Sequence, residues 1–260
     1  MSATAALRGL SRRALLRAAR DVTVPAAGRS ALVIAPHPDD ETLGCGATML
    51  AKVAAGTRVT VVVATDGRHS HRSAAIPPER LAARRHAEMT EAATRLGLVE
   101  EVRWLGIEDG TVAAHEDDLV AALVRLVAEL RPDELYATCA EEPHPDHAAV
   151  GRAARRVAAA TGTRLLEYPV WLWHGWPASR GDRAGSLAEA GRRVVRRRAA
   201  VVATGPHLAA KLHALDAHDT QLRRPAEVPV GEEWAVLPEP ILAAAAGPWE
   251  LFFPTSGGGR

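Results

Sequence analysis

A chain of 260 residues, 47% hydrophobic and 24% charged, can bury one large core and has little room for two, which excludes disordered and fibrous classes. Thirty-two basic against 31 acidic residues leave a formal charge of +1, so nothing in the balance calls for nucleic acid or an anionic membrane, and the expected partner is a small molecule. Two cysteines, Cys45 and Cys139, exclude a disulfide framework and a four-thiolate zinc site, making a reducing, cytoplasmic setting the default, and no apolar run approaches the ~20 residues a bilayer span needs.

The first twenty residues carry Arg8, Arg12, Arg13, Arg17 and Arg20 among Ala and Leu, a composition similar to a transit peptide, but the Ala/Arg excess runs along the whole chain. The expectation is a helical extension over 1–29, followed by one domain over 30–260. Ala31 to Ala35 and Arg58 to Ala64 read as strands buried on both faces, separated by a helix over Asp39 to Ala55 whose first turn is acidic. The alternation continues: helix from Pro78 to Leu96, strand from Val102 to Leu105, helix from Asp117 to Leu130, strand from Glu134 to Thr138, helix from His147 to Ala160, strand from Arg164 to Tyr168. This pattern predicts an open, doubly wound, mostly parallel α/β sheet with helices on both faces and right-handed crossovers, in the order 3-2-1-4-5.

Trp171, Trp173 and Trp176 cluster with His174 after the fifth strand, and either wall a ligand site or cover a sheet edge. Residues 171–191 are expected to form a substrate-side loop, with an edge strand over Val194 to Val202 and a helix over His207 to Leu222.

The chemistry gathers where two strands end. The first runs into Pro36-His37-Pro38-Asp39-Asp40-Glu41, the fourth into Glu142-Pro143-His144-Pro145-Asp146-His147. In the predicted order strands 1 and 4 are neighbours at the reversal point, where open α/β sheets bind ligands. His37, Asp40 and His147 are assigned as ligands of a divalent metal, since two histidines and a carboxylate leave the open positions a catalytic ion requires. Asp39 is then free as a general base. His144, if protonated, would stabilise charge developing on a carbonyl oxygen and protonate a leaving amine, and Asp146 would fix a histidine tautomer from behind. Glu41 reads as a first-turn helix acid or a group behind the ligands. Gly44 and Gly46 lack the third glycine of a dinucleotide fingerprint and lie beside three acids, so they are expected to let the helix approach the sheet. These parts describe metal-assisted amide hydrolysis.

With those residues in view, the chain resembles the LmbE-like/PIG-L family of zinc-dependent N-deacetylases, which carry a His-Pro-Asp-Asp-Glu signature after the first strand and His-Pro-Asp-His after a later one. Thr65-Asp66-Gly67, Arg85 with Glu88, Asp109-Gly110, and the Lys211 to Gln221 segment with His218 are similar too, so the likeness runs from about Ala31 to Leu222. The resemblance implies a Rossmann-like fold, one zinc per chain with iron(II) as the alternative metal, and an N-acetylated aminosugar or glycoconjugate as substrate. It also implies the same roles for His37, Asp40, His147, Asp39 and His144. Some members place a tyrosine just before the second signature, where this chain has Cys139-Ala140-Glu141-Glu142. The loop Gly67 to Ser73 holds Arg68, His69, His71 and Arg72 in place of the glycine-rich, acidic loop of thiol-sugar members.

Arg72 and Arg85 are candidates for gripping the substrate. His69 and His71 fit a solvated loop or substrate contact better than a second metal site, His174 and His218 read as rim residues, and the cysteines as small buried fillers. Two other classes stand beside the hydrolase: an iron(II) facial-triad oxygenase, which the alternating pattern opposes, and a non-catalytic sugar-binding protein, in which an unliganded Asp39 has no use.

Overall fold

The computed structural model describes residues 3–175 and 199–255. A two-residue strand β1 (Arg20–Asp21) precedes the first predicted one. The expected five follow as β2 (Ala31–Ala35), β3 (Val59–Thr65), β4 (Val102–Ile107), β5 (Glu134–Thr138) and β6 (Arg164–Tyr168), and the late strands are β7 (Ala200–Ala203) and β8 (Trp249–Pro254). They form one eight-stranded sheet, β1-β7-β8-β6-β5-β2-β3-β4. Its central part reproduces the predicted order, with β2 parallel to both β3 and β5, while β8 runs antiparallel between β6 and β7.

Alternation along the buried strands splits the core into two layers. Val33, Val61, Val63, Tyr136 and Leu166 lie in one cluster with Leu43 and Met49 of α3 (Asp40–Ala54) and Met89 of α4 (Pro78–Arg95). Their neighbours Leu32, Ile34, Val62, Leu135 and Leu165 lie in the other with Leu119 and Leu123 of α5 (Glu116–Leu130) and Val150 and Val157 of α6 (Pro145–Thr161). Burial on both faces is what continuous apolar strands require.

Several boundaries differ from the sequence reading. α6 begins at Pro145, because proline is preset for the first helical position and His144 caps it in extended conformation, so Asp146 and His147 lie in the first turn. β7 is not the edge of the sheet, since β1 pairs outside it. The helix expected over 207–222 is broken into α8 (Leu208–Leu215) and α9 (Asp219–Leu222), with His218 between them at φ −80°, ψ 57°. Thr220 holds the second piece by donating its N–H and hydroxyl to Glu88 of α4, at 2.8 and 2.7 Å. The short helix α7 (Leu172–Gly175) occupies the start of the expected loop, and Trp176, the remainder of 171–191 and residues 194–198 lie outside the described residues. α10 (Glu239–Ala245) and β8 had no counterpart in the sequence reading. The extension supplies α1 (Ala3–Ala18), β1 and α2 (Thr23–Ala27), and Lys52 of α3 ties it down by donating to the carbonyls of Ala26 and Arg29 at 2.7 and 2.6 Å.

A buried ion pair enters the middle of α3. Lys211 Nζ donates to the Leu43 carbonyl (3.0 Å) and pairs with Glu250 (2.8 Å), whose carboxylate accepts from the N–H groups of Ala47 and Thr48. Leu43 O and Ala47 N are the partners that would otherwise close this helical turn. A Cβ on Gly44 would lie 2.2 Å from Tyr168 Cδ2, so this glycine does let α3 approach the sheet. Gly46, by contrast, makes room for Lys211 from α8, with Cγ 2.8 Å from a would-be Cβ. Replacing Lys211 by Ala would strand the Glu250 charge and should cost about 3–5 kcal/mol in urea unfolding, whereas a loss below about 1 kcal/mol would show that the pair is dispensable.

Candidate metal centre

His37 follows β2, and His147 follows β5 by one turn of α6, so the adjacent parallel strands deliver both to one place. His37 Nδ1 lies 3.2 Å from His147 Nε2 and 3.3 Å from Asp40 Oδ2, and the last two atoms are 3.2 Å apart. All three side chains are buried. Ligands of a tetrahedral ion with bonds of about 2.0–2.1 Å sit about 3.3 Å from one another, so this triangle is one face of such a shell. His37 and Asp146 form a second candidate group with His144, and neither group among the described residues includes His69 or His71.

The far side of His37 explains the orientation of its ring. Its Nε2 lies 3.1 Å from Asp109 Oδ1 and 3.3 Å from Asp146 Oδ2, so the N–H points at carboxylates and the Nδ1 lone pair faces the triangle. Asp146 is itself fixed by the N–H groups of Gly110 (2.8 Å) and Val112 (3.1 Å). Against the cost of burial, Asp109, Asp146 and Asp40 raise the His37 pKa well above the usual imidazole range. Burial also opposes ionisation of Asp40, yet His147 and His37 hold its carboxyl well below the usual range. The pocket is built for positive charge.

Asp39 sits beside the triangle at φ 122°, a conformation that costs a non-glycine residue of order 1–3 kcal/mol and persists only where surroundings impose it. Its N–H donates to Glu41 Oε2 (3.1 Å). Arg85, buried on α4, donates to the carbonyls of Pro38 (2.5 Å) and Gly67 (3.2 Å) and lies 3.5 Å from Asp39 Oδ1. Gly67 must be glycine, because its φ is +66° and a Cβ would meet Arg85 Nη1 at 2.1 Å. Burial, partly offset by Arg85 and reinforced by Asp40, pushes the Asp39 pKa up to about 7. That places a carboxylate beside the triangle within reach of both protonation states near neutrality.

His144 meets His37 edge-on and His147 at a tilt, its ring centroid 4.9 Å from each. Burial, with the adjacent imidazoles His37 and His147, lowers its pKa to about 4, so it stands neutral here. Trp171 approaches it at 6.4 Å, held in place by Glu142, which accepts from the N–H groups of Val170 and Leu172 at 2.6 and 3.0 Å. Trp173 packs away from the site, with the Arg12 guanidinium 5.0 Å from its ring. His218 is not at the rim: it is fully buried, with Nε2 3.7 Å from Glu41 Oε1. Both cysteines are buried and unbonded to each other. Asp109 was assigned no role from sequence and His218 was read as a rim residue, whereas Glu41 lies behind the ligands, one of the two places read for it. Asp109 follows a strand end and could have been sought there, whereas nothing local announces the long-range contact of His218.

Fold and site together define an open α/β protein with a preformed His-Asp-His centre at the reversal point of its sheet. Residues 32–158 match the PIG-L family, described as GlcNAc-PI de-N-acetylase. A 1D-myo-inositol 2-acetamido-2-deoxy-α-D-glucopyranoside deacetylase of Catenulispora acidiphila is 36% identical over 160 residues, 52% of this chain and 49% of the relative. A second deacetylase of the same name from that organism is 29% identical over 246 residues, 75% and 80% of the two chains. A probable N-acetyl-α-D-glucosaminyl L-malate deacetylase of Bacillus cereus is 32% identical over 133 residues, 49% of this chain and 60% of the relative. The chain thus spans about half the length of the first of these relatives. Among solved structures, N,N'-diacetylchitobiose deacetylase from Pyrococcus horikoshii shares the fold, with a TM-score of 0.65 and 21% identity over 99% of this chain and 94% of that one. Over residues 32–158, just under half of its length, the chain matches the PIG-L family, and its fold is of the PIG-L/LmbE-like type.

Because Asp109 orients His37 through the ring N–H, Asp109→Asn should weaken divalent-metal affinity by about 10–100-fold in a chelator competition, and unchanged affinity would leave that task to Asp146 alone.

Proposed function

We propose that this protein is a zinc-dependent N-deacetylase that hydrolyses the acetamido group of a 2-acetamido sugar or related glycoconjugate, releasing acetate and a free amine. The observation that carries the reading is the buried triangle of His37, Asp40 and His147 with an uncommitted, strained Asp39 beside it. His37, Asp40 and His147 would hold the ion, which in such a site polarises an amide carbonyl and makes water acidic enough to attack near neutral pH.

Asp39 takes the proton from the attacking water, its carboxylate aimed by the backbone clamp of Glu41 and by Arg85. His144, neutral before reaction, donates a ring N–H to the carbonyl oxygen as negative charge develops there. The proton held by Asp39 then passes to the departing nitrogen, so the C–N bond breaks as an amine leaves and acetate remains. Asp146 and Asp109 act through His37, which they keep in one tautomer. Arg72 serves on the substrate side, and Arg85 acts on the substrate through Asp39. Residues 30–260 would form the catalytic domain, with 1–29 an extension packed on it. Two buried cysteines that form no disulfide with each other support a reducing, cytoplasmic setting.

No helix among the described residues is long and apolar enough to cross a membrane. The test is metal content of protein purified without added metal, paired with acetate release from a panel of N-acetyl sugars before and after chelation. Near one zinc per chain and chelator-sensitive release are expected; protein that stays inactive after zinc and iron(II) have both been supplied would sink the reading. Asp39→Ala should keep its metal and lose most turnover, and His147→Ala should lose the metal itself.

A further inference from the structure

His218 is a fully buried imidazole to which the mechanism above gives no task. Its main chain is completely engaged. The N–H donates to the Leu215 carbonyl at 3.0 Å, and the carbonyl accepts from the N–H groups of Gln221 and Leu222 at 3.0 and 3.2 Å. The helix break that leaves it between α8 and α9 is fastened by Glu88 through Thr220. The ring, by contrast, has no hydrogen bond at either nitrogen. A buried polar ring without hydrogen bonds lowers stability, so the groups it faces have to supply the compensation.

It faces Glu41. His218 Nε2 lies 3.7 Å from Glu41 Oε1, and that carboxylate is fully buried as well. A ring lone pair aimed at a carboxylate would be repelled, so His218 presents an N–H there. The contact is too long for a hydrogen bond, but the absence of water strengthens the attraction between charge and dipole. Among the described residues no other basic side chain lies within ion-pair distance of Glu41.

The other partners of Glu41 lead to the candidate base. Oε1 accepts from the Thr42 hydroxyl at 2.5 Å, and Oε2 accepts from the Asp39 N–H at 3.1 Å. That N–H belongs to the same peptide unit as the Pro38 carbonyl, which Arg85 holds at 2.5 Å. One peptide plane is thus gripped at both ends, by a guanidinium on its oxygen and a carboxylate on its nitrogen. The Asp39 carbonyl meanwhile enters α3 by accepting from the Leu43 N–H at 2.9 Å. With the plane before Asp39 and the helix after it both fixed, the residue has no freedom to leave φ 122°.

We propose that His218 is a positioning residue for the general base: its ring holds the Glu41 carboxylate, and Glu41 holds the backbone of Asp39 so that the Asp39 carboxylate stays beside the metal triangle. The proposal rests on the deacetylase reading for its kinetic arm.

The experiment compares the parent with His218→Leu, which fills the space without a donor, with His218→Gln, which returns an N–H donor, with Glu41→Gln, and with the double variant His218→Leu, Glu41→Gln. Three quantities are read: kcat and KM for acetate release from the N-acetyl sugar that the parent hydrolyses fastest, zinc affinity by chelator competition, and hydrogen exchange of the Asp39 amide by NMR. In His218→Leu, kcat should fall about tenfold to a hundredfold, as a slightly displaced base predicts. KM and zinc affinity should stay within about twofold. The Asp39 amide should exchange about tenfold faster, because its acceptor is no longer held. His218→Gln should recover most of both losses, and His218→Leu should add little to Glu41→Gln, as expected for two groups acting in series.

Unchanged kcat and exchange in His218→Leu would overturn the proposal. So would a loss that His218→Gln does not recover, or one in which zinc affinity falls together with kcat, since either describes a ring that only fills space. If His218→Leu does not fold, Glu41→Gln decides: slower turnover with faster Asp39 exchange supports the clamp, and parent-like values for both refute it. If the parent releases no acetate from any sugar, the deacetylase reading fails, and the Asp39 exchange of the variants still shows whether His218 holds the clamp.

Discussion

The His37 ring is the piece on which the site depends, because it is held from both sides by groups from different parts of the sheet. Nδ1 faces Asp40 and His147, while Nε2 faces Asp109 from beyond β4 and Asp146 from the start of α6. A neutral imidazole has one donor and one acceptor nitrogen, so fixing the donor on the carboxylate side determines which lone pair is offered to a cation. Burial then strengthens each contact and makes a misplaced partner costly. Three strand ends are brought into register by one five-membered ring.

At the opposite end of the sheet a comparable charge cluster is spent on stability. Glu134 at the start of β5 receives Lys52, Arg164, Arg29 and the Tyr136 hydroxyl, and every partner is accounted for. A fully satisfied buried network rigidifies, whereas the network around His37 and Asp39 leaves lone pairs and a strained backbone unspent. The same residue types thus build a fastening at one end and a reactive pocket at the other.

Much of this was legible in the sequence, for reasons that can be named. Continuous apolar runs such as Ala31 to Ala35 and the regular alternation with helices predicted the central strand order, and proline-braced histidines at two strand ends pointed to the His37, Asp40 and His147 cluster. What escaped depends on distance. The break before His218 comes from Glu88, 132 residues away from Thr220, and β8 joins the sheet because β6 and β7 offer antiparallel edges, which Trp249 to Pro254 does not announce by itself. Asp109 was visible as part of a strand-end motif, but its role depends on His37 reaching across β3.

The insertion of Lys211 and Glu250 into α3 bears on how the molecule comes to be formed. The helix that carries Asp40 and Glu41 in its first turn is completed by groups 168 and 203 residues later in the chain. Contacts of such separation form slowly, since a long loop must close before any interaction rewards it. A nascent chain ending after β6 would already display every candidate ligand, yet the α3 turn that presents one of them would still lack its clasp. The turn of α3 that carries a candidate ligand is accordingly closed by contacts of long sequence separation, not by its neighbours in the chain.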